Sequence, residues 1–112
     1  MLRTMIFGLD DLRTDEDAVL SAIDSACNAP AMRKAVRGLC QAEGRIYLTL
    51  LPEPRMAARR HHVLISVDDV SEAGMADLLE QRWAAGFDAI GVVNLGGGQI
   101  RLLLECRKDS DT

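Results

Sequence analysis

Residues 94–106 read N-L-G-G-G-Q-I-R-L-L-L-E-C, and the job of the three glycines decides the fold. A glycine run that leaves a strand and opens a helix cradles phosphate, because the free N–H groups at the helix start point at the anion. Such loops belong to parallel α/β sheets. A glycine run between two strands supplies positive φ to a hairpin and belongs to antiparallel sheets. The residues after Gly98 favour the hairpin: Ile100 is β-branched, and Arg101 and Glu105 bracket an apolar run. No Lys-Ser or Lys-Thr follows, and G-x-G-x-x-G is not satisfied. The stretch is read as a turn between strands over 89–93 and 100–106. An anion nest of exposed backbone N–H groups is its alternative use.

Working back from the hairpin, Gly86 ends a helix that Ser71 caps, with Met75, Leu78, Leu79 and Trp83 along its apolar side. Residues 62–67 alternate as a strand, and 55–60 form a polar connection after Pro52-Glu53-Pro54. Residues 45–51 have strand composition. Met32, Val36, Leu39 and Cys40 recur at helical spacing, which predicts a second helix capped by Gly44. Asn28-Ala29-Pro30 separates it from a first helix, capped by Thr14 and carrying Val19, Ala22, Ile23, Ala26 and Cys27 inward. Residues 1–9 form the opening strand.

G-L-D-D-L at 8–12 and S-V-D-D-V at 66–70 each leave a strand and enter a helix, a loose likeness between the halves. The order β-α-(α)-β-β-α-β-β predicts an α+β two-layer sandwich over 1–107, ferredoxin-like (a split β-α-β) with an added strand. Its sheet is mainly antiparallel with helices on one face, and 108–112 is a flexible charged tail. Leu102, Leu103 and Leu104 put apolar groups on both faces of the last strand, which predicts a homodimer covering the second face.

The 112 residues suffice for one core. Their apolar fraction of 48% excludes disorder, and no run approaches the roughly 18 residues that span a bilayer. The N-terminal apolar stretch is too short for a signal-peptide core, and three widely spaced cysteines read as reduced thiols, so a cytoplasmic protein is expected. Arg outnumbers Lys 11 to 2, an association with GC-rich bacterial genomes.

The net charge of −4 conceals a basic middle: residues 33–62 carry +5, against −4 before and −5 after. Arg33, Lys34, Arg37, Arg55, Arg59, Arg60 and His61 are therefore the candidate partner- or anion-binding residues, with Arg33, Lys34 and Arg37 on the exposed side of the second helix. Tyr47 is the only aromatic residue there, so the segment lacks the stacking groups of a nucleic-acid surface, and nucleic acid ranks below a protein or small anionic partner. His61 and His62 are neighbours on a strand and point to opposite faces, so they do not make a metal pair; no metal and no cofactor are expected. Cys27 and Cys40 sit on apolar stripes as inert thiols, while Cys106 is nearer the chain end. Ser21, Ser25 and Ser66 lack an elbow context. The Asp10-Asp11 and Asp68-Asp69 pairs suit capping, with a cation site as their alternative use.

Ala84-Ala85-Gly86-Phe87, Ile90, Val92-Val93, Gly96-Gly97-Gly98 and Leu102–Leu104 follow strand, helix, A-x-G-[WF], strand, glycine turn, strand. On these residues the portion 63–107 resembles a short, uncharacterised bacterial domain type. The resemblance implies a helix plus hairpin and no activity.

The leading expectation is a small non-catalytic module that binds a protein or small ligand, acting as a dimer or in a complex. A small enzyme or cofactor-binding protein, drawing on Arg59, His61, Trp83 and Asp68 at a sheet or subunit boundary, is the alternative. Weak nucleic-acid binding through 33–62 comes third.

Overall fold

The computed structural model describes residues 3–54 and 56–108. Its elements are β1 (Thr4–Gly8), α1 (Leu9–Thr14), α2 (Glu16–Cys27), β2 (Lys34–Ala42), β3 (Arg45–Pro52), β4 (Arg59–Ser66), α3 (Glu72–Ala84), β5 (Phe87–Gly96) and β6 (Gln99–Lys108). The α+β class is as expected, but the strands form two three-stranded antiparallel sheets in place of one. Sheet A runs β1-β3-β2 and sheet B runs β4-β6-β5. Each half of the chain is thus a β-α-β-β unit whose last strand lies between the other two. The weak likeness of 8–12 and 66–70 marks corresponding positions in two units of the same topology.

The predicted second helix is strand β2, and its error has a local cause. A β-bulge at Arg37 interrupts the register between Val36 and Gly38. Val36 opposes Leu50 and Leu39 opposes Leu48, so two residues three apart share one face. A bulge adds one residue to a period of two, and here it imitates helical spacing. Gly44 does not cap a helix either: Glu43 and Gly44, at φ 48° and 76°, form the tight turn between β2 and β3. Thr14 ends α1, and the cap of α2 is Asp15, whose carboxylate accepts from Ala18 N at 3.1 Å. Ser71 caps α3 as expected, accepting from Gly74 N at 3.1 Å. The hairpin reading of the glycines holds, with Gly96, Gly97 and Gly98 at φ 89°, 61° and 79° between β5 and β6.

Two apolar cores share sheet B. Val19, Ile23 and Cys27 of α2 pack with Leu12, with Ile46, Leu48 and Leu50 of β3, and with Val93, Leu95 and Leu103 from sheet B. On the opposite face of sheet B, Leu102 and Leu104 pack with Met75 and Leu78 of α3. The triple leucine of β6 therefore finds both covers inside its own chain, which removes the reason for invoking a dimer there. Helices lie on both faces of sheet B, not on one. Trp83 is 68% exposed and Leu79 half-exposed, because α3 lays only its Met75–Leu78 edge on the sheet.

The sheets meet where β2 faces β5. The Gln41 side chain binds both backbone groups of Asn94, donating to its carbonyl at 2.6 Å and accepting from its N–H at 2.8 Å. A side-chain amide thus stands in for a neighbouring strand. Gly91 permits the approach: a Cβ there would lie 3.2 Å from Leu39 Cβ. Gly91→Val should force the sheets apart at a cost of about 1–3 kcal/mol, read as a lower urea midpoint with little change in slope.

Candidate functional site

Where α2, β2, β4 and β6 converge, the molecule buries a network of charge. Glu105 is 0% exposed and His62 1%. Residues 62 and 105 are directly opposed across β4 and β6 and so share a face. The Glu105 Oε2 atom takes a hydrogen bond from Val36 N at 3.1 Å and lies 2.8 Å from His62 Nε2. Its Oε1 accepts from Arg60 at 3.1 Å and from Arg37 at 3.4 Å. Both guanidiniums also reach Glu53 Oε1, at 2.6 Å from Arg60 and 2.8 Å from Arg37. The bulge in β2 is what turns Arg37 into this cluster.

The edge of β4 is sealed from α2. Asp24 Oδ1 accepts from His62 N at 3.0 Å and lies 2.6 Å from His62 Nδ1, while Oδ2 lies 3.2 Å from His61 Nδ1. Two adjacent histidines of opposite facing thus reach one carboxylate, because Asp24 stands at the strand edge between the two faces. One turn later, Asn28 donates to the Arg60 carbonyl at 2.8 Å and accepts from Arg60 N at 2.7 Å. With Gln41 at β5, it is the second side-chain amide to complete a free strand edge.

Burial by itself would push the His62 imidazole down, since a charge is costly away from water. Hydrogen bonds with Cys27 and to the accepting Glu105 and Asp24 carboxylates outweigh that and hold it at about 10. Burial likewise pushes the Glu105 carboxyl up. The His62 ring, the Val36 N–H and the Arg60 charge overcome this and keep it below its ordinary value. His62 is thus an imidazolium clamped between two carboxylates. Cys27, 0% exposed at the end of α2, completes the group. One donor atom each from Cys27, His62 and Glu105 lies within 4.8 Å of the others.

The candidate residues of the basic middle divide sharply. Arg37, Arg60 and His61 belong to the network. Arg33 donates to the Asn28 carbonyl at 2.7 Å. Lys34, placed by the sequence on an exposed helix face, is buried on β2, and Arg59 is exposed. Arg55 lies outside the described residues. Of the positive segment, Arg37 and Arg60 are paired within the chain by Glu53 and Glu105, and Asp24 holds the two histidines. Sequence reasoning missed the negative half because those three residues are scattered over 81 positions. The enzyme grouping of Arg59, His61, Trp83 and Asp68 is not assembled: Asp68 lies before the start of α3 and Trp83 in its last turn, and among the described residues no hydrogen bond or ion pair joins any two of the four.

Cys40, expected on a buried stripe, is exposed on β2, and Cys106 is half-buried. The aspartate pairs do cap. Asp11 accepts from Gly8 N and Asp69 from Ser71 N, each at 3.0 Å, and the Ser71 contacts hold the Asp69 carboxyl below its ordinary value. Beside the glycine turn, Arg13, Glu16, Leu95, Gln99 and Arg101 line an open cavity of about 380 Å³. Its two guanidiniums are engaged: Arg13 with Asp10 and the Leu95 carbonyl, Arg101 with Ser66. No helix among the described residues is long and apolar enough to cross a membrane. Comparison of the chain with protein-family models, curated proteins and solved structures gave no match.

Proposed function

We propose that this chain is a non-catalytic binding module whose working surface is the open face of sheet A and whose partner there is a second copy of the chain. The observation that carries the reading is the unequal cover of the two sheets. Sheet B is packed on both faces, whereas sheet A is packed on one, its opposite face being covered at the Ala35 end. Its other face carries Thr4, Ile6, Arg45, Tyr47, Thr49, Leu51 and Cys40, with Ile6 56% and Leu51 44% exposed. Arg45 is the one charge in that set. A nearly uncharged face offers little to steer an acidic or basic partner and suits self-complementary packing about a two-fold axis.

Three short strands present a face of roughly 25 Å by 15 Å, small beside the roughly 800 Å² per partner of a stable interface. The expected dimer is accordingly weak, dissociating at about micromolar concentration. Sedimentation of the full chain should show a monomer–dimer equilibrium that Ile6→Asp and Leu51→Asp abolish while the circular dichroism is retained. Trp83, the only tryptophan, lies on α3 outside that face, so its emission should not change on dimerisation. A monomer up to several hundred micromolar overturns the reading. A blue shift of Trp83 on association assigns the contact to α3 instead.

A further inference from the structure

We propose that Cys27, His62 and Glu105 form a binding site for a divalent transition-metal ion of Zn²⁺ type, held at the junction of the two β-α-β-β units. The inference stands apart from the dimer reading, since this cluster is interior and sheet A's open face is not involved.

The donor set is the first argument. A thiol, an imidazole and a carboxylate are the three groups Zn²⁺ takes from proteins, and three protein donors leave a position for one small exogenous ligand. They come from three elements, α2, β4 and β6, so no short sequence spacing announces them. Their donor atoms nonetheless converge within 4.8 Å, and all three residues are buried.

Support around the donors is the second argument. A metal-bound imidazole ordinarily gives its other N–H to a carboxylate, which sets the tautomer and aims the free nitrogen. Asp24 does this at His62 Nδ1, 2.6 Å away, leaving Nε2 directed at Glu105. The Glu105 carboxylate is itself oriented, with Arg60 and Arg37 on Oε1 and Val36 N–H on Oε2. Tetrahedral bonds of about 2.0–2.2 Å to N and O place those atoms about 3.3 Å apart. The present separation of 2.8 Å needs to open by only about half an ångström, a side-chain adjustment.

Charge is the third argument. Three carboxylates (Asp24, Glu53 and Glu105) face two guanidiniums (Arg37 and Arg60), an excess of one negative charge around the donors that a cation offsets. On metal binding, the Nε2 and Sγ donors give up to solvent any proton they carry as one divalent cation enters. Bonds form from Nε2, Sγ and Oε2 to the ion, and the metal keeps its oxidation state.

The test is titration of the metal-stripped full chain with Co²⁺ under reducing conditions, followed by absorption. The expected result is one ion per chain with a thiolate-to-cobalt charge-transfer band. Calorimetry in buffers of different ionisation enthalpy should report proton release on ion binding. Cys40→Ser/Cys106→Ser, which leaves Cys27 as the sole thiol, should keep the band, and Cys27→Ala should lose it. Absence of a thiolate band in the wild-type chain, or its survival in Cys27→Ala, overturns the proposal. If Cys27→Ala does not fold, the double serine variant decides alone: a band supports the site and no band overturns it.

Discussion

Glu105→Ala should cost about 3–5 kcal/mol, the penalty for stranding buried charge. The side chain is one partner of His62, Arg60, Arg37 and the Val36 N–H at once. Removing it leaves His62 with Asp24 alone, the two guanidiniums sharing Glu53 alone, and the Val36 N–H unsatisfied. A domain of this size holds only about 5–15 kcal/mol in total, so the loss is a large share of it. Glu105→Gln keeps the shape and an accepting oxygen and should fall between the two. The exposed pair Asp10–Arg13 is the control: Asp10→Ala should stay within about 1 kcal/mol, because water screens that contact. Urea unfolding followed by circular dichroism separates these outcomes. If Glu105→Ala lies within about 1 kcal/mol of wild type, the network does not hold the two halves together.

The second large effect is alkaline destabilisation of the metal-free chain. A histidine raised from 6.5 to about 10 on folding binds its proton more tightly in the native state. Its contribution is fully present below pH 6.5 and is lost as pH rises through about 10. Between those limits stability should fall by up to about 1.4 kcal/mol per pH unit, one proton's worth. Glu105 runs the other way. Its lowered carboxyl contributes above the unfolded value of 4.5 and loses that contribution as pH falls. The stability maximum is therefore expected between about pH 4.5 and 6.5, with a long alkaline decline. His62→Gln should lower the maximum and flatten that decline. An identical slope in His62→Gln between pH 7 and 9 would assign the proton to another group.

Local chemistry was legible wherever a residue's role depends on its neighbours in the chain. The glycines at 96–98 announced a hairpin through positive φ. Ser71 announced a helix start, and Asn28-Ala29-Pro30 a helix end. The segment 32–44 misled for an equally local reason: one bulge placed Val36 and Leu39 on the same face and wrote a helical spacing into a strand. The signal against the helix was Glu43-Gly44, a two-residue turn between Ala42 and Arg45. Read as a hairpin, it would have shown both halves to be β-α-β-β.

The candidate site was half legible. Clustered positive charge singled out Arg37, Arg60 and His61, because like residues close together stand out in composition. Asp24, Glu53 and Glu105 sit singly in unlike surroundings, and nothing in their spacing says that they meet. Cys27 reads as a helix-stripe hydrophobe, which it also is. The amino-acid order alone settled the class of fold, the antiparallel hairpin at the glycines and the excess of leucine on β6, since each follows from side-chain alternation and turn geometry. The tertiary structure alone decided that sheet B would be covered on both faces while sheet A kept one open. It also decided that opposite charges from four elements would close on His62, because electrostatic and packing partners are chosen by distance in space, which periodicity along a chain does not encode.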